Sequence, residues 1–287
     1  MAVAASSLKL AGQRVLVTGS GRGIGRAIAI ICHKHGAKVA ITSRTESELM
    51  ETKSQMVEIT SKLVCEDKDL TPSNRILAQT ADATNAQEVE SLVDTVVSEW
   101  GGIDILINNA GRGQSKKGPT ESLDIADLEA ILQTNVVAVQ RITSCVVSKA
   151  MVPQSSGGRI INISSKAGKV GIPNIGFYAA SKFALEGLTA TWATELEKYG
   201  ILVNSISPGM VDTVGFPKAK GKPGIRSAES IEDTLMMLLS SSQSGQYVHV
   251  DEYDEVRKRS LPEEMALKPI NEPDFADWLS DKTATNK

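Results

Sequence analysis

The chain of 287 residues predicts an α/β domain in which helices cover both faces of a doubly wound, parallel sheet. Three observations carry that expectation. Short apolar runs alternate with longer segments of helical periodicity. The first run, Val15-Leu16-Val17, opens directly into a glycine-rich turn and then a helical stretch. A hydrophobic content of 41% can bury one core, and no linker separates two.

Strands are expected near residues 14–17, 38–41, 75–80, 103–108, 159–164, 202–206 and 246–250. They belong to one domain, residues 10–251, between an N-terminal tail at 1–9 and an acidic extension at 252–287. Gly36 is placed to stop the first helix, because a helix commonly ends on a left-handed glycine. Thr45 with Glu48 has the spacing of a capping box at the start of the second. Cys65 to Asn74 reads as a polar loop inserted before the third strand. Asn85 suits an N-cap, and Val89, Leu92, Val93, Val96, Val97 and Trp100 then form one apolar stripe for the sheet.

Composition sets bounds. A net charge of -3, no basic stripe and 4% aromatics argue against a nucleic-acid partner. No apolar run approaches the roughly 20 residues of a membrane span, and Met1 to Ser7 lacks the pattern of a secretory leader. A cytoplasmic protein is expected, with no membrane partner. Cys32, Cys65 and Cys145 are widely spaced and read as reduced thiols. His33 and His35, two apart, point different ways on their helix and read as a solvated face, and His249 reads as an edge or interface residue. No metal site is expected.

The chemistry lies elsewhere. Tyr178 and Lys182 are four residues apart, so a phenol and an ammonium share one helix face. A free tyrosine titrates near pH ~10; bringing it near neutrality takes about 3 units, or about 4 kcal/mol, part of which a lysine can supply. Upstream, Ile160-Ile161-Asn162-Ile163 reads as a buried strand ending in Ser164 and Ser165, where a hydroxyl can orient a reacting carbonyl. Near the N-terminus, Thr18-Gly19-Ser20-Gly21-Arg22-Gly23-Ile24-Gly25 joins a strand to a helix, so a pyrophosphate can approach free amides at the helix start.

These motifs, with Asn108-Asn109-Ala110-Gly111, Asn135, and Pro208-Gly209 followed by Thr213, resemble the classical short-chain dehydrogenase/reductase family from about Leu10 to Asp251. The resemblance implies a single Rossmann-fold domain with seven strands in the order 3-2-1-4-5-6-7 and a ligand crevice at their carboxyl ends. It implies a catalytic set of Asn135, Ser165, Tyr178 and Lys182. Tyr178 would donate a proton to a carbonyl, Lys182 would hold the nicotinamide ribose, and Asn135 would hold a relay water. Ser165 is preferred to Ser164 because it lies thirteen residues before Tyr178, the family spacing. Thr18 and Asn108 are expected to tie the glycine loop to the fourth strand.

The cofactor residues implied are Thr18, Gly19, Ser20, Arg22, Gly23, Ile24, Gly25, Ser43, Arg44, Asp82, Asn109, Ala110, Gly111, Tyr178, Lys182, Pro208, Gly209 and Thr213. Charge adds a cofactor preference. No acid is evident at the end of the second strand, Glu46 being explained by the start of a helix, whereas Arg22 and Arg44 could fork onto a 2'-phosphate. NADP(H) is therefore expected. Asp82 matches the family aspartate beside the adenine, or else a helix N-cap.

The expected activity is an NADPH-dependent interconversion of ketone and secondary alcohol in a homodimer or homotetramer. A 3-oxoacyl thioester is the first substrate reading, and small ketones, polyols or polycyclic secondary metabolites the alternative. A non-catalytic NADPH-binding regulator is a further one. Residues 213–227 are shorter than the family's substrate-covering loop, so the pocket should be more open. Arg112, Lys116, Lys117, Lys166, Lys169, Lys218, Lys220, Lys222 and Arg226 would ring its mouth and favour an anionic or carrier-linked substrate. Phe275 and Trp278 would seat the C-terminal extension across a subunit interface.

Overall fold

A computed structural model describes residues 8–63, 72–213 and 224–270. Among them one sheet is built from β1 (Arg14–Thr18), β2 (Lys38–Thr42), β3 (Ile76–Ala78), β4 (Ile105–Asn108), β5 (Gly158–Ile163), β6 (Ile201–Ser207), β7 (Gln246–His249) and β8 (Lys268–Pro269). The order is β8-β7-β6-β5-β4-β1-β2-β3. The expected order 3-2-1-4-5-6-7 is present, every pair in it parallel. The expected count of seven is corrected to eight. Lys268 and Pro269 add an antiparallel edge opposite Tyr247 and Gln246, and Ile270 N–H donates to Gly245 O at 2.8 Å. The open edge of β7 offers main-chain groups to be paired, and the extension supplies them.

Alternation along each strand divides the core. Val15, Val17, Val39, Ile41, Ile105 and Ile107 face one side, packed with Ile28 and Cys32 of α1 (Gly23–Lys34), Leu49 and Met56 of α2 (Glu46–Leu63), and residues near the C-terminus. Leu16, Ala40, Leu106 and Ile160 face the other. There they meet Leu92 and Val96 of α3 (Ala86–Trp100), Ile142 and Val146 of α4 (Ile125–Gln154), and Leu185 of α5 (Gly176–Glu195). Strands buried on both faces read as continuous apolar runs for this reason. Asn85 caps α3, its side chain accepting from Gln87 N and Glu88 N, and Gly36 follows α1 at φ +95°.

Several expectations change. His33 is fully buried, its Nε2 in a short hydrogen bond with Thr60 Oγ1, and Arg75 donates to its carbonyl oxygen at 3.0 Å. The solvated-face reading fails because α2 covers that side of α1. His35 pairs with Glu232 of α6 (Glu232–Ser240). Pro72–Arg75 forms a helical turn within what read as loop. The helix α4, 30 residues long with a window of mean hydropathy 1.3, is long and apolar enough to cross a membrane, contrary to the sequence expectation. Its apolarity has another use here, since Val139, Ile142, Val146, Ala150 and Met151 pack in the core. The expected boundary at Asp251 falls in the first turn of α7 (Val250–Lys258), and Tyr253 of that helix is buried. Cys65, Lys218, Lys220, Lys222, Phe275 and Trp278 lie outside the described residues.

Candidate active site

The glycine turn between β1 and α1 is held from beneath. Thr52 Oγ1 donates to Ser20 O at 3.0 Å, and the Arg26 guanidinium donates to Gly21 O while pairing with Glu51. With its carbonyls taken on one side, the turn presents amides on the other. Gly19 sits at φ +63°, and a Cβ there would lie 2.8 Å from Ala110 Cα. At Gly25 it would lie 2.3 Å from Gly19 O, so no side chain fits either position.

Thr18 and Asn109 tie this turn to β4. Thr18 Oγ1 accepts from Asn109 N and Ala110 N, both at 3.0 Å, and Asn109 Nδ2 donates to Thr18 O at 2.9 Å and Gly19 O at 3.0 Å. Asn108 was expected in that role; it instead donates across the sheet to Asn162 and to Thr143, each at 2.9 Å. The strand's alternation turns Asn108 away from the loop. Ser20 also moves out of the expected set. It is fully buried, accepting from Thr42 N at 2.8 Å, and does not line the cleft.

The cleft above the glycine turn is lined by Thr18, Gly19, Arg22, Gly23, Ile24, Gly25, Ser43, Arg44, Asp82, Asn109, Ala110, Gly111 and Thr213. Gly209 lies apart, facing the Asp251 carboxylate, and Pro208 is buried beside it. Asp82 is not a helix cap, since Asn85 fills that role. Partial burial opposes its ionisation, but hydrogen bonds from Thr84 and the nearby Arg44 hold its carboxyl below the usual range. Arg44 is mostly exposed, 3.9 Å from Asp82. An acid does reach this end of the cleft after all. Glu48, one turn into α2, accepts from Arg22 at 3.1 Å.

At the carboxyl ends of β4 and β5 a second group converges. Tyr178 and Lys182 lie on one face of α5, Lys182 Nζ 5.7 Å from the Tyr178 ring centre. Lys182 is buried and donates to Ile163 O at 2.8 Å. Burial lowers its pKa to about 8, against the opposing field of Glu186. Burial likewise pushes the Tyr178 phenol up, and its hydrogen bond with Ser165 pulls the other way. The phenol is thus not brought toward neutrality by the lysine in this arrangement. Ser165 adjoins Tyr178, whereas Ser164 is buried with no partner for its hydroxyl among the described residues.

Asn135 lies in a π-helical turn of α4, Gln133–Val137, a widening often found at functional sites. It accepts from Arg112 N at 2.8 Å and donates to Arg112 O at 2.9 Å and to Ser181 Oγ at 3.0 Å. Ser181 in turn donates to Tyr178 O at 2.7 Å. Asn135 therefore joins the loop after β4 to the helix that carries the tyrosine.

Four residues here were not expected at the site from the sequence: Arg26, Ser181, Glu48, which read only as part of a capping box, and Gln114, whose Oε1 accepts from the main-chain N–H groups of Phe177 and Tyr178. Gln114 has no motif to announce it, although Ser181 sits inside the Tyr178–Lys182 spacing. The basic rim is also less free than expected. Arg112 pairs with Asp127, Lys169 with Glu186, and Arg226 with Asp251 and Asp254.

Residues 13–222 match the family model described as short chain dehydrogenase. The chain is 32% identical over 237 residues to an uncharacterized oxidoreductase of Staphylococcus aureus, covering 83% of this chain and 94% of that protein. It is 33% identical over 218 residues to the 3-dehydrosphinganine reductase of Danio rerio, covering 75% of this chain but only 62% of that longer protein. Among solved structures, a short-chain dehydrogenase/reductase of Serratia marcescens superposes with a TM-score of 0.71 at 30% identity, covering 84% of this chain and 97% of that one. A variant actinorhodin polyketide ketoreductase solved with NADPH gives 0.71 at 26% identity, covering 87% and 97%. The chain belongs to the short-chain dehydrogenase/reductase family, and is an oxidoreductase.

Proposed function

We propose that this protein reduces a ketone to a secondary alcohol with NADPH. The observation that carries the reading is the convergence of Tyr178, Ser165, Lys182 and Asn135 beside the cleft of the glycine turn. The cleft fits a dinucleotide: Gly19 and Gly25 let the turn pack without side chains against Ala110 and Asn109, so its backbone can line the cleft for a pyrophosphate, and Arg22 and Arg44 stand at its β2 end for a 2'-phosphate. Bound there, the cofactor would supply hydride. Asp82 would face its adenine, and Thr213 would border it on the other side.

Ser165 holds the carbonyl oxygen with a hydroxyl placed in advance, which lowers the cost of growing negative charge. Tyr178 gives its proton to that oxygen, so alkoxide is quenched as it forms. A phenol held high by burial is fully protonated at neutral pH, the state a donor needs. Lys182 would hold the ribose side of the cofactor, and Asn135 keeps the Tyr178 end of α5 in register.

The substrate reading is a ketone on an apolar chain. Val170, after β5, and Met210, after β6, are exposed at the carboxyl ends of their strands, while three of the expected rim cations are paired with acids. The names of the two reductase relatives are in keeping with a ketone. A 3-oxoacyl thioester on an acidic carrier is the second reading, favoured by the exposed Lys117 and Lys166. We take the protein to act as a cytoplasmic homodimer or homotetramer, for which exposed Ile125, Val137 and Phe183 on α4 and α5 offer apolar surface. The test is NADPH oxidation with a long-chain ketone, an acetoacetyl thioester, a diketone and a sugar. Turnover with the first and none with NADH supports the reading; no turnover with any carbonyl contradicts it.

A further inference from the structure

One turn beyond Lys182, the helix α5 carries a carboxylate that the reaction does not use. Glu186 is only 4% exposed. Its Oε2 accepts from Ser205 Oγ of β6 at 3.1 Å and meets Lys169 Nζ at 3.3 Å, while Oε1 has no hydrogen-bond partner among the described residues. Gly168 seals the place: a Cβ there would lie 2.9 Å from Lys182 O and 3.1 Å from Glu186 Cγ, so the loop bearing Ser165 packs flat on this face of the helix. A buried carboxylate is costly unless a cation is near. Lys169 at the rim is its ion-pair partner, with Nζ also 4.9 Å from the Tyr247 ring centre, and Lys182, four residues back on the same face of α5 and buried like Glu186, is the second cation on that side.

We propose that Glu186 is a positioning residue that keeps Lys182 protonated, and so sets the alkaline limit of activity. The proposal rests on the reading of Lys182 given under Proposed function. Lys182 has little else to hold its charge: the Ile163 carbonyl accepts one of its protons, and Tyr178 presents a neutral phenol. From β7, Tyr247 faces Glu186 and is itself held protonated by burial, with Glu252 acting on it from α7; neither adds a cation. Burial alone drives an ammonium toward the neutral form, and a carboxylate within reach opposes it by about 1 to 3 units.

The test uses the full-length protein with lysines labelled at 13Cε, the Lys182 signal being assigned by its loss in Lys182→Arg. Wild type should titrate near pH 8. Glu186→Gln, which keeps shape and loses charge, should lower that midpoint by about one unit or more, a tenfold loss of proton affinity. Glu186→Asp should stay near wild type. In Glu186→Gln the alkaline fall of kcat should move down by the same interval with KM unchanged. An unmoved Lys182 titration overturns the proposal. So does a wild-type Glu186 that infrared difference spectra show protonated at pH 7, a measurement that needs no variant to fold. A shifted Lys182 titration in a protein that turns over no ketone supports the pairing and overturns the functional reading instead.

Discussion

Gln114 Oε1 accepts the main-chain N–H of Phe177 at 3.1 Å and that of Tyr178 at 3.4 Å, so a side chain from the loop after β4 caps the helix that carries the tyrosine. The residue at that helix's own N-cap position, Ile175, makes no side-chain cap. The Gln114 amide nitrogen donates to Lys116 O and Asn174 O, which fixes the loop in turn.

Gln114→Ala should therefore disturb Tyr178 more than the fold. Losing a cap costs about 1 kcal/mol of stability. Turnover should fall by about tenfold, within the ~10²-fold that a small misplacement of a reacting group can cost. Steady-state kinetics alongside cofactor titration checks this: kcat drops while NADPH affinity holds.

The Arg22–Glu48 pair makes a prediction about cofactor choice. Charge-assisted hydrogen bonds contribute about 1.5 to 3 kcal/mol each, so changing Arg22 and Arg44 together to Ala should weaken NADPH binding by about 10²-fold or more and leave NADH nearly unchanged. Glu48→Gln should act the other way, freeing Arg22 and raising NADPH affinity several-fold. Fluorescence titration with both cofactors measures each.

His33 makes a prediction about acid. Burial, and next the Arg75 charge, lower its pKa to about 4. The unfolded chain binds its proton near pH 6.5. The unfolded state therefore holds more protons between those values, and stability, complete above pH ~6.5, is lost as pH falls toward about 4. The share traceable to His33 is about 3 kcal/mol at most. Melting temperatures of wild type and His33→Gln across that range should converge toward low pH, the variant showing the flatter profile.

What the sequence made legible and what it hid divide along physical lines. The strands themselves, the glycine turn and the Tyr178–Lys182 face are local patterns, and local periodicity reads them well, whereas the strand order followed only from the family resemblance. Asn108 was mistaken for Asn109 because a shift of one residue on a strand reverses the side a residue faces. His33 was missed because its burial depends on α2, a different segment. Gln114 acts over a contact that no spacing encodes, the burial of Glu186 depends on β6 and the loop bearing Ser165 although it lies one turn from Lys182, and the edge strand β8 forms only because β7 leaves an edge to pair.

The extension should matter to the fold. Tyr253 is buried with Ala266 in the main core, and Asp251 and Asp254 hold Arg226. Tyr253→Ala should cost about 3 to 5 kcal/mol, the range for removing a large buried aromatic. Urea denaturation read by circular dichroism measures it, and a loss under about 1 kcal/mol would show that the extension only lies on the surface.

The most direct measurement is the turnover of Tyr178→Phe with NADPH and a long-chain ketone, beside cofactor binding to the same protein. The substitution keeps the ring and removes the proton donor. General acid catalysis contributes about 10²- to 10⁴-fold, so kcat should fall by at least about two orders of magnitude while NADPH binds as in wild type. Turnover close to wild type, with an unaltered pH profile, would contradict Tyr178 as the proton donor and with it the account of the site.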